Sequence, residues 1–487
     1  MPHAKILLLC SLLSLLATAE AQTQNLYTYQ DLSHLYYQPQ RDSLKKAWVC
    51  PDAFKERDAQ RKLKELWEQR TTSISEAITH DDYVHDQEVY AYISGIVKQI
   101  TAANPQLVSF SDLVLLDRSP SVNAYTVGGH VLAVNLGLIV FSRSREELAL
   151  AIAHEMSHDI LRHFENGMQE RAAWLTSDDY KKSLNDILSS KYDRLTKLHH
   201  ILESYTFSRS RHQRYHESEA DSLAVELLKK SNIAFDARYF LHLDSADDDY
   251  LQHLQQPLKT YFAGYQLPFE DSWTTRRTHG LSTHNYNFTT DTAAKIEDSV
   301  KTHPDCPERY TQTKRWASAN PTSTPIPATI REKANKMLIW NLYTSGTLTP
   351  CLYRIFLQKD KGSKDPWYDF MVSNIFYGLY YADRHLNRFN AIGIIPKEYI
   401  SRDYYALQTL LEQIPSESIR QSCETFGKGA FWTSLPGAER SLKDLMITMT
   451  LTTEDANQKQ VAKAAHAFTT DNAGSMYCEF ADNFQKK

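Results

Sequence analysis

The run His154-Glu155-Met156-Ser157-His158 constrains this 487-residue chain more than any other feature. Residues four apart share one face of an α-helix, so the two imidazoles can meet at one point while Glu155 points to their flank. The other sides of such a helix must be buried, and Ala149, Ile152, Ala153 and Met156 supply the apolar surface. Glu146 and Glu147 favour the positive end of the helix dipole, which places the helix start near Ser144 and its end near His163. Two imidazoles at this spacing suit zinc when a third donor comes from another element and one position stays open to water. The run Tyr215-His216-Glu217-Ser218-Glu219-Ala220-Asp221 offers Glu217 and Asp221 one turn apart. Glu217 is the expected third ligand, and Asp221 the acceptor that fixes the tautomer of a ligating histidine. On their own these acids would read as a solvated helix face screened by Arg211 and Arg214. Beside the upstream motif the ligand reading prevails, with Glu155 as the general base that takes a proton from the attacking water.

The rest of the chain narrows the setting. A formal net charge of -5 is small for this length and argues against a binder of nucleic acid by bulk attraction. Lys5 precedes the apolar run Ile6 to Leu16, and Ala19-Glu20-Ala21 supplies the small residues a signal peptidase needs. Residues 1–21 therefore read as a cleaved secretory signal, and the mature chain as periplasmic or secreted. No later segment reaches 18 uninterrupted apolar residues, so no transmembrane segment is expected in the mature chain. Five cysteines remain (Cys50, Cys306, Cys351, Cys423 and Cys478), enough for one or two bridges in the C-terminal half but with no assignable pairing.

Organisation follows from periodicity and breakers. Residues 22–80 read as a polar leader with one charged helix around 55–75. Val89, Ile93, Ile96, Val97 and Ile100 share a helical face that stops at Asn104-Pro105. Val108 to Leu116 and Val131 to Val134 read as strands, separated by a turn region with Pro120 and Gly128-Gly129. The stretch 165–214 reads as a helix or helical hairpin, followed by a helix over 215–230. A peptidase-like domain over 81–315, a Ser/Thr/Pro linker over 316–328 and a helical domain over 329–487 complete the expected layout. Helices are expected in the last part at 329–345, 366–384, 401–413, 438–451 and 459–469.

These motifs resemble those of the M48 metallopeptidases, gluzincins whose third zinc ligand is a glutamate. The His154 to His158 motif, the Glu217 to Asp221 motif and the segment Asn123-Ala124-Tyr125 … Gly128-Gly129 … Gly137-Leu138 occur in the family's order, over about 85–310. The resemblance implies an α+β fold: a mainly helical zincin-like domain with a small edge sheet, followed here by a helical C-terminal domain. It implies one Zn2+ held by His154, His158 and Glu217, with Glu155 as base and Asp221 orienting His154. It also implies a histidine from a Thr-His-Pro segment near the metal. Thr302-His303-Pro304-Asp305, followed by Arg309, matches best, and Thr283-His284 is the competitor. Should His303 cover the ion, it would gate activity.

The expected substrate is an unfolded or extended polypeptide that adds a strand beside Val131, Leu132, Ala133, Val134 and Asn135. The aromatic C-terminal helices could also engage an envelope protein partner. A chaperone or assembly factor with low or gated peptidase activity is the main rival reading, and intact Glu155 speaks against a purely non-catalytic version. A structural zinc module would want four protein ligands and cysteine, which the ligand helices lack.

Overall fold

Helix formation around the metal motif begins with its cap. Ser144 takes an extended backbone and its hydroxyl accepts from the Glu147 N–H at 3.2 Å, starting helix Arg145–Ile160. Both acids of the first turn are buried and satisfied: Glu147 Oε2 accepts from the Arg143 N–H at 2.6 Å, and Glu146 Oε2 from the Thr324 N–H at 2.7 Å. Asp86 does the same for helix Gln87–Ala103, its carboxylate accepting from the N–H groups of Glu88 and Val89. The computed structural model describes residues 34–78, 83–105, 113–190, 215–275, 306–321, 323–450, 458–482 and 484–485. The signal, His284 and His303 lie outside the described residues.

Two units emerge from the chain's internal contacts: one takes in Gln30–Gln252 with Arg277–Asn341, the other His253–Arg276 with Leu342–Lys487. The first holds a four-stranded sheet of β1 (Tyr83–Val84), β2 (Leu113–Asp117), β3 (Ala124–Gly128) and β4 (Val131–Asn135), ordered β1-β2-β4-β3. Pairing is antiparallel for β1–β2 and β3–β4 and parallel for β2–β4. Every residue of β4 is buried, because both faces of the sheet are covered. Val131 and Ala133 join a cluster with Trp48, Trp67, Leu115, Val127 and Met168. That cluster draws in helices His34–Ala47 and Arg57–Ile78, so the N-terminal leader is part of the core of this unit. Most of its charged residues face outward, Arg70 over the Phe164 ring excepted, while Tyr37, Leu63 and Trp67, at most 3% exposed, point in.

The Gly128-Gly129 pair is required by that packing. Both have positive φ, and a Cβ on either would meet the Trp48 ring at about 3 Å or less. The Pro-rich segment expected as a linker is bonded to the metal helix: Arg145 N–H donates to Thr324 O at 2.8 Å, and Ser144 bridges to Pro325.

The second unit is helical throughout its described residues. Helices Leu348–Asp360, Pro366–Arg384, Arg402–Gln413, Ser416–Gly427, Gly437–Thr450 and Gln458–Asp471 form its frame. Burying Tyr353, Tyr368, Phe370, Phe376 and Tyr404 to 0% exposure contributes about 1.5–3 kcal/mol for each large side chain. The fold is thus predominantly helical, with one small open sheet and an extensive helical C-terminal region. No disulfide joins the five described cysteines, and no described helix is long and apolar enough to cross a membrane.

Candidate metal centre

Helix Arg145–Ile160 is buried nearly all round, so its polar residues are held by neighbours and not by water. Ile152 and Ala153 anchor it at 0% exposure, leaving His154 and His158 to face helix 215–230. The structure brings His154, His158 and Glu217 together. His154 Nε2 lies 3.1 Å from His158 Nε2, and the two carboxylate oxygens of Glu217 lie 3.2 and 3.3 Å from those nitrogens. Zinc bonds of about 2.0–2.1 Å in a tetrahedron separate neighbouring ligand atoms by about 3.3 Å, so this donor set fits zinc in type and spacing.

Around His154 the polar groups form a closed chain. Its Nδ1 lies 2.9 Å from Asp221 Oδ1, which puts the proton on Nδ1 and leaves the Nε2 lone pair toward Glu217. Arg309 grips the same carboxylate with two bonds, Nη2 to Oδ1 at 2.6 Å and Nε to Oδ2 at 2.9 Å. Nδ1 and Nη2 end up 3.1 Å apart because both donors converge on Oδ1. The guanidinium also sits over the Phe240 ring, 4.4 Å from its centroid. Burial alone would raise the Asp221 carboxyl, but Arg309 and the His154 hydrogen bond hold it down at about 2. Burial and the Arg309 charge oppose a proton on His154, yet hydrogen bonds to Asp221 and Glu217 outweigh them and lift it to about 9. The pocket at Nε2 therefore favours positive charge.

His158 is held differently. Its Nδ1 lies 3.0 Å from His163 Nδ1, so a His158 that offers Nε2 donates its Nδ1 proton to His163. Burial, then the neighbouring His216 and His158 charges, push His163 down to about 4, which keeps it neutral and able to accept.

Glu155 leaves the helix on the side of the sheet. Its Oε2 accepts from the Thr126 N–H of β3 at 3.1 Å. A second tie fixes the same hairpin: His130, in the β3–β4 turn, has Nδ1 at 2.6 Å from Asp159 Oδ2. Together these bonds set the spacing between the β3 edge and the metal helix.

The strand expected to receive substrate needs correction. Val131, Leu132, Ala133, Val134 and Asn135 form β4, which pairs with β2 on one side and β3 on the other, so it has no open edge. The edge belongs to β3, a segment that reads in the sequence as part of a turn region. Asn135 N–H bonds Asn123 O, so by antiparallel alternation the peptide groups of Ala124 and Thr126 point outward, away from β4. In the sequence Arg309 stands out only by following the Thr-His-Pro run; its tie to Asp221, 88 residues away, carries no local signal.

A helix that presents two imidazoles, a second helix that adds a carboxylate, and a glutamate beside them define a metallopeptidase type of centre. Residues 83–317, just under half of the chain, match the family model described as Peptidase family M48. A curated protein of Vibrio cholerae serotype O1, a putative beta-barrel assembly-enhancing protease, is 31% identical over 90 residues. The likeness covers 18% of this chain and 18% of that relative's length.

Proposed function

We propose that the chain is a zinc-dependent endopeptidase that cuts unfolded or extended proteins of the cell envelope or secreted space. The observation that supports it best is the 3.1–3.3 Å spacing of the His154, His158 and Glu217 donor atoms with Glu155 alongside. Bound by these donors, one zinc per chain would polarise the scissile carbonyl and acidify the attacking water. Asp221 and Arg309 keep His154 in the tautomer that offers Nε2, and His163 does so for His158. Glu155 takes the proton of the attacking water and delivers it to the leaving nitrogen. The Thr126 N–H aims its carboxylate. An extended substrate would add as a strand to β3 at Ala124, its carbonyl carried toward Glu155. Envelope substrates are proposed from the name of the Vibrio cholerae relative and from the expected secretory signal. His303 remains the proposed gate, through a local approach to the metal.

The test is digestion of unfolded envelope proteins by the zinc-loaded chain and by Glu155→Gln. The amide accepts the Thr126 N–H through its oxygen but takes no proton from water, so cleavage should fall by 10²-fold or more while zinc content is kept. Cleavage by Glu155→Gln at the wild-type rate would overturn the assignment.

A further inference from the structure

The β3–β4 turn contains a strained residue that packing does not explain. Gly128, Gly129 and His130 follow one another with φ of 89°, 65° and 62°. Glycine adopts such backbone freely, whereas the Cβ of any other residue crowds the following carbonyl. The Trp48 ring leaves no room for a Cβ at either glycine. His130 answers to no such demand, since its side chain is 39% exposed. What its imidazole gains is Asp159 on the metal helix, only 2% exposed. Nδ1 donates to Oδ2 at 2.6 Å, and the His130 N–H reaches Oδ1 at 3.3 Å. Strained backbone that persists for one polar contact marks that contact as functional.

The spacing shows what the contact does. Glu155 and Asp159 are four apart on helix Arg145–Ile160 and share a face, about 100° round the axis from the face of His154 and His158. Glu155 holds the hairpin at the Thr126 N–H of β3, and Asp159 holds it at His130, about one turn or 5.4 Å further along. A single bond would leave the hairpin free to pivot on the helix. Two bonds fix the angle of its open edge as well as its distance.

We propose that His130 is a positioning residue: by gripping Asp159 it sets the angle at which the β3 edge meets the metal helix, and with it the fit of an extended substrate against Ala124. This rests on the reading of β3 as the strand that receives substrate. A peptide pairs with N–H and C=O groups spaced along the edge, so a tilted edge costs affinity. Glu155 keeps its own tie to Thr126, so the effect falls on substrate binding and not on the proton transfers.

The experiment compares two variants of the full chain. His130→Gly relieves the backbone but loses the grip. His130→Asn tolerates the left-handed backbone and puts an amide N–H where Nδ1 stood. Hydrogen exchange of the Thr126 N–H in the zinc-free chain reads the hold on the edge. Hydrolysis of fluorescein-labelled casein by the zinc-loaded chain reads KM and kcat. In His130→Gly the Thr126 N–H should exchange at least tenfold faster while the amides of helix Gln87–Ala103 keep their rates. KM should rise about fivefold or more, with kcat within twofold. His130→Asn should stay within twofold of wild type in exchange, KM and kcat. Exchange and KM unchanged in His130→Gly overturn the proposal. Faster exchange that extends to helix Gln87–Ala103 shows a general loss of stability and overturns it too, as does a KM that rises as far in His130→Asn as in His130→Gly. No casein cleavage by the zinc-loaded wild type sinks the peptidase reading instead, and the Thr126 exchange rates still decide whether His130 holds the edge.

Discussion

Asp221→Asn is a near-isosteric change whose effect can be worked out atom by atom. Oδ1 accepts from His154 Nδ1 at 2.9 Å and from Arg309 Nη2 at 2.6 Å, and Oδ2 accepts from Arg309 Nε at 2.9 Å. Every neighbour is a donor, so either orientation of an asparagine amide sets its NH2 against another N–H. Two losses follow. His154 keeps at best a neutral amide acceptor in place of a carboxylate and is held less firmly in the tautomer that offers Nε2, which should weaken zinc binding about 10–100-fold, about 1.4–2.7 kcal/mol. Arg309, 8% exposed, keeps its charge without a partner, which should cost about 3–5 kcal/mol of stability. The two losses separate in the double variant. Asp221→Asn/Arg309→Met removes the stranded charge and should regain much of the stability, but little of the zinc affinity. Competition with a chelator of known affinity reads the first loss, and denaturant unfolding of the zinc-free chain the second. Zinc affinity within twofold of wild type in folded Asp221→Asn would refute the role given to Asp221. A double variant no more stable than the single one would refute the charge argument.

Three further outcomes are expected. His154→Ala/His158→Ala should retain no tightly bound zinc after dialysis, measured by metal analysis, because one carboxylate cannot hold the ion alone. Ala124→Pro removes an N–H that points away from β4 and should leave the ladder and zinc content intact while lowering kcat/KM about 2–10-fold, the worth of one hydrogen bond. Gly137→Ala would place a Cβ 2.1 Å from the Pro120 carbonyl oxygen, so a drop in thermal midpoint from about 1–3 kcal/mol of overpacking should appear without any change at the metal ligands.

What the sequence made legible was local. The metal helix could be read from its cap, its acidic first turn and its four-residue histidine spacing, and helix Gln87–Ala103 from Asp86 and the period of its valines and isoleucines. Five C-terminal helices were expected close to where they lie, because each carries an apolar period. Helices Leu348–Asp360 and Ser416–Gly427 lie outside those five; Pro350 of the former sits in the first turn, where a missing N–H costs little. The strand β3 was hidden by its short length and by the glycines that close it. The leader looked solvated because its few large apolar residues are scattered among charges, and their common face is visible only against the sheet. Which strand forms the edge depends on β2 and β4 pairing in parallel across intervening chain, a choice no local pattern encodes.

The tie between Arg309 and Asp221 also bears on when, during synthesis, the candidate site becomes complete. The catalytic helix is made early, yet the guanidinium that steadies Asp221 arrives 88 residues after Asp221 and 155 after His154. A chain still being made therefore carries His154, Glu155 and His158 before the arginine that holds Asp221 in place. Long-range contacts of this kind form late in folding. Under the proposed peptidase function, this distance in sequence would act as a safety interlock, withholding full competence until the domain has closed on itself.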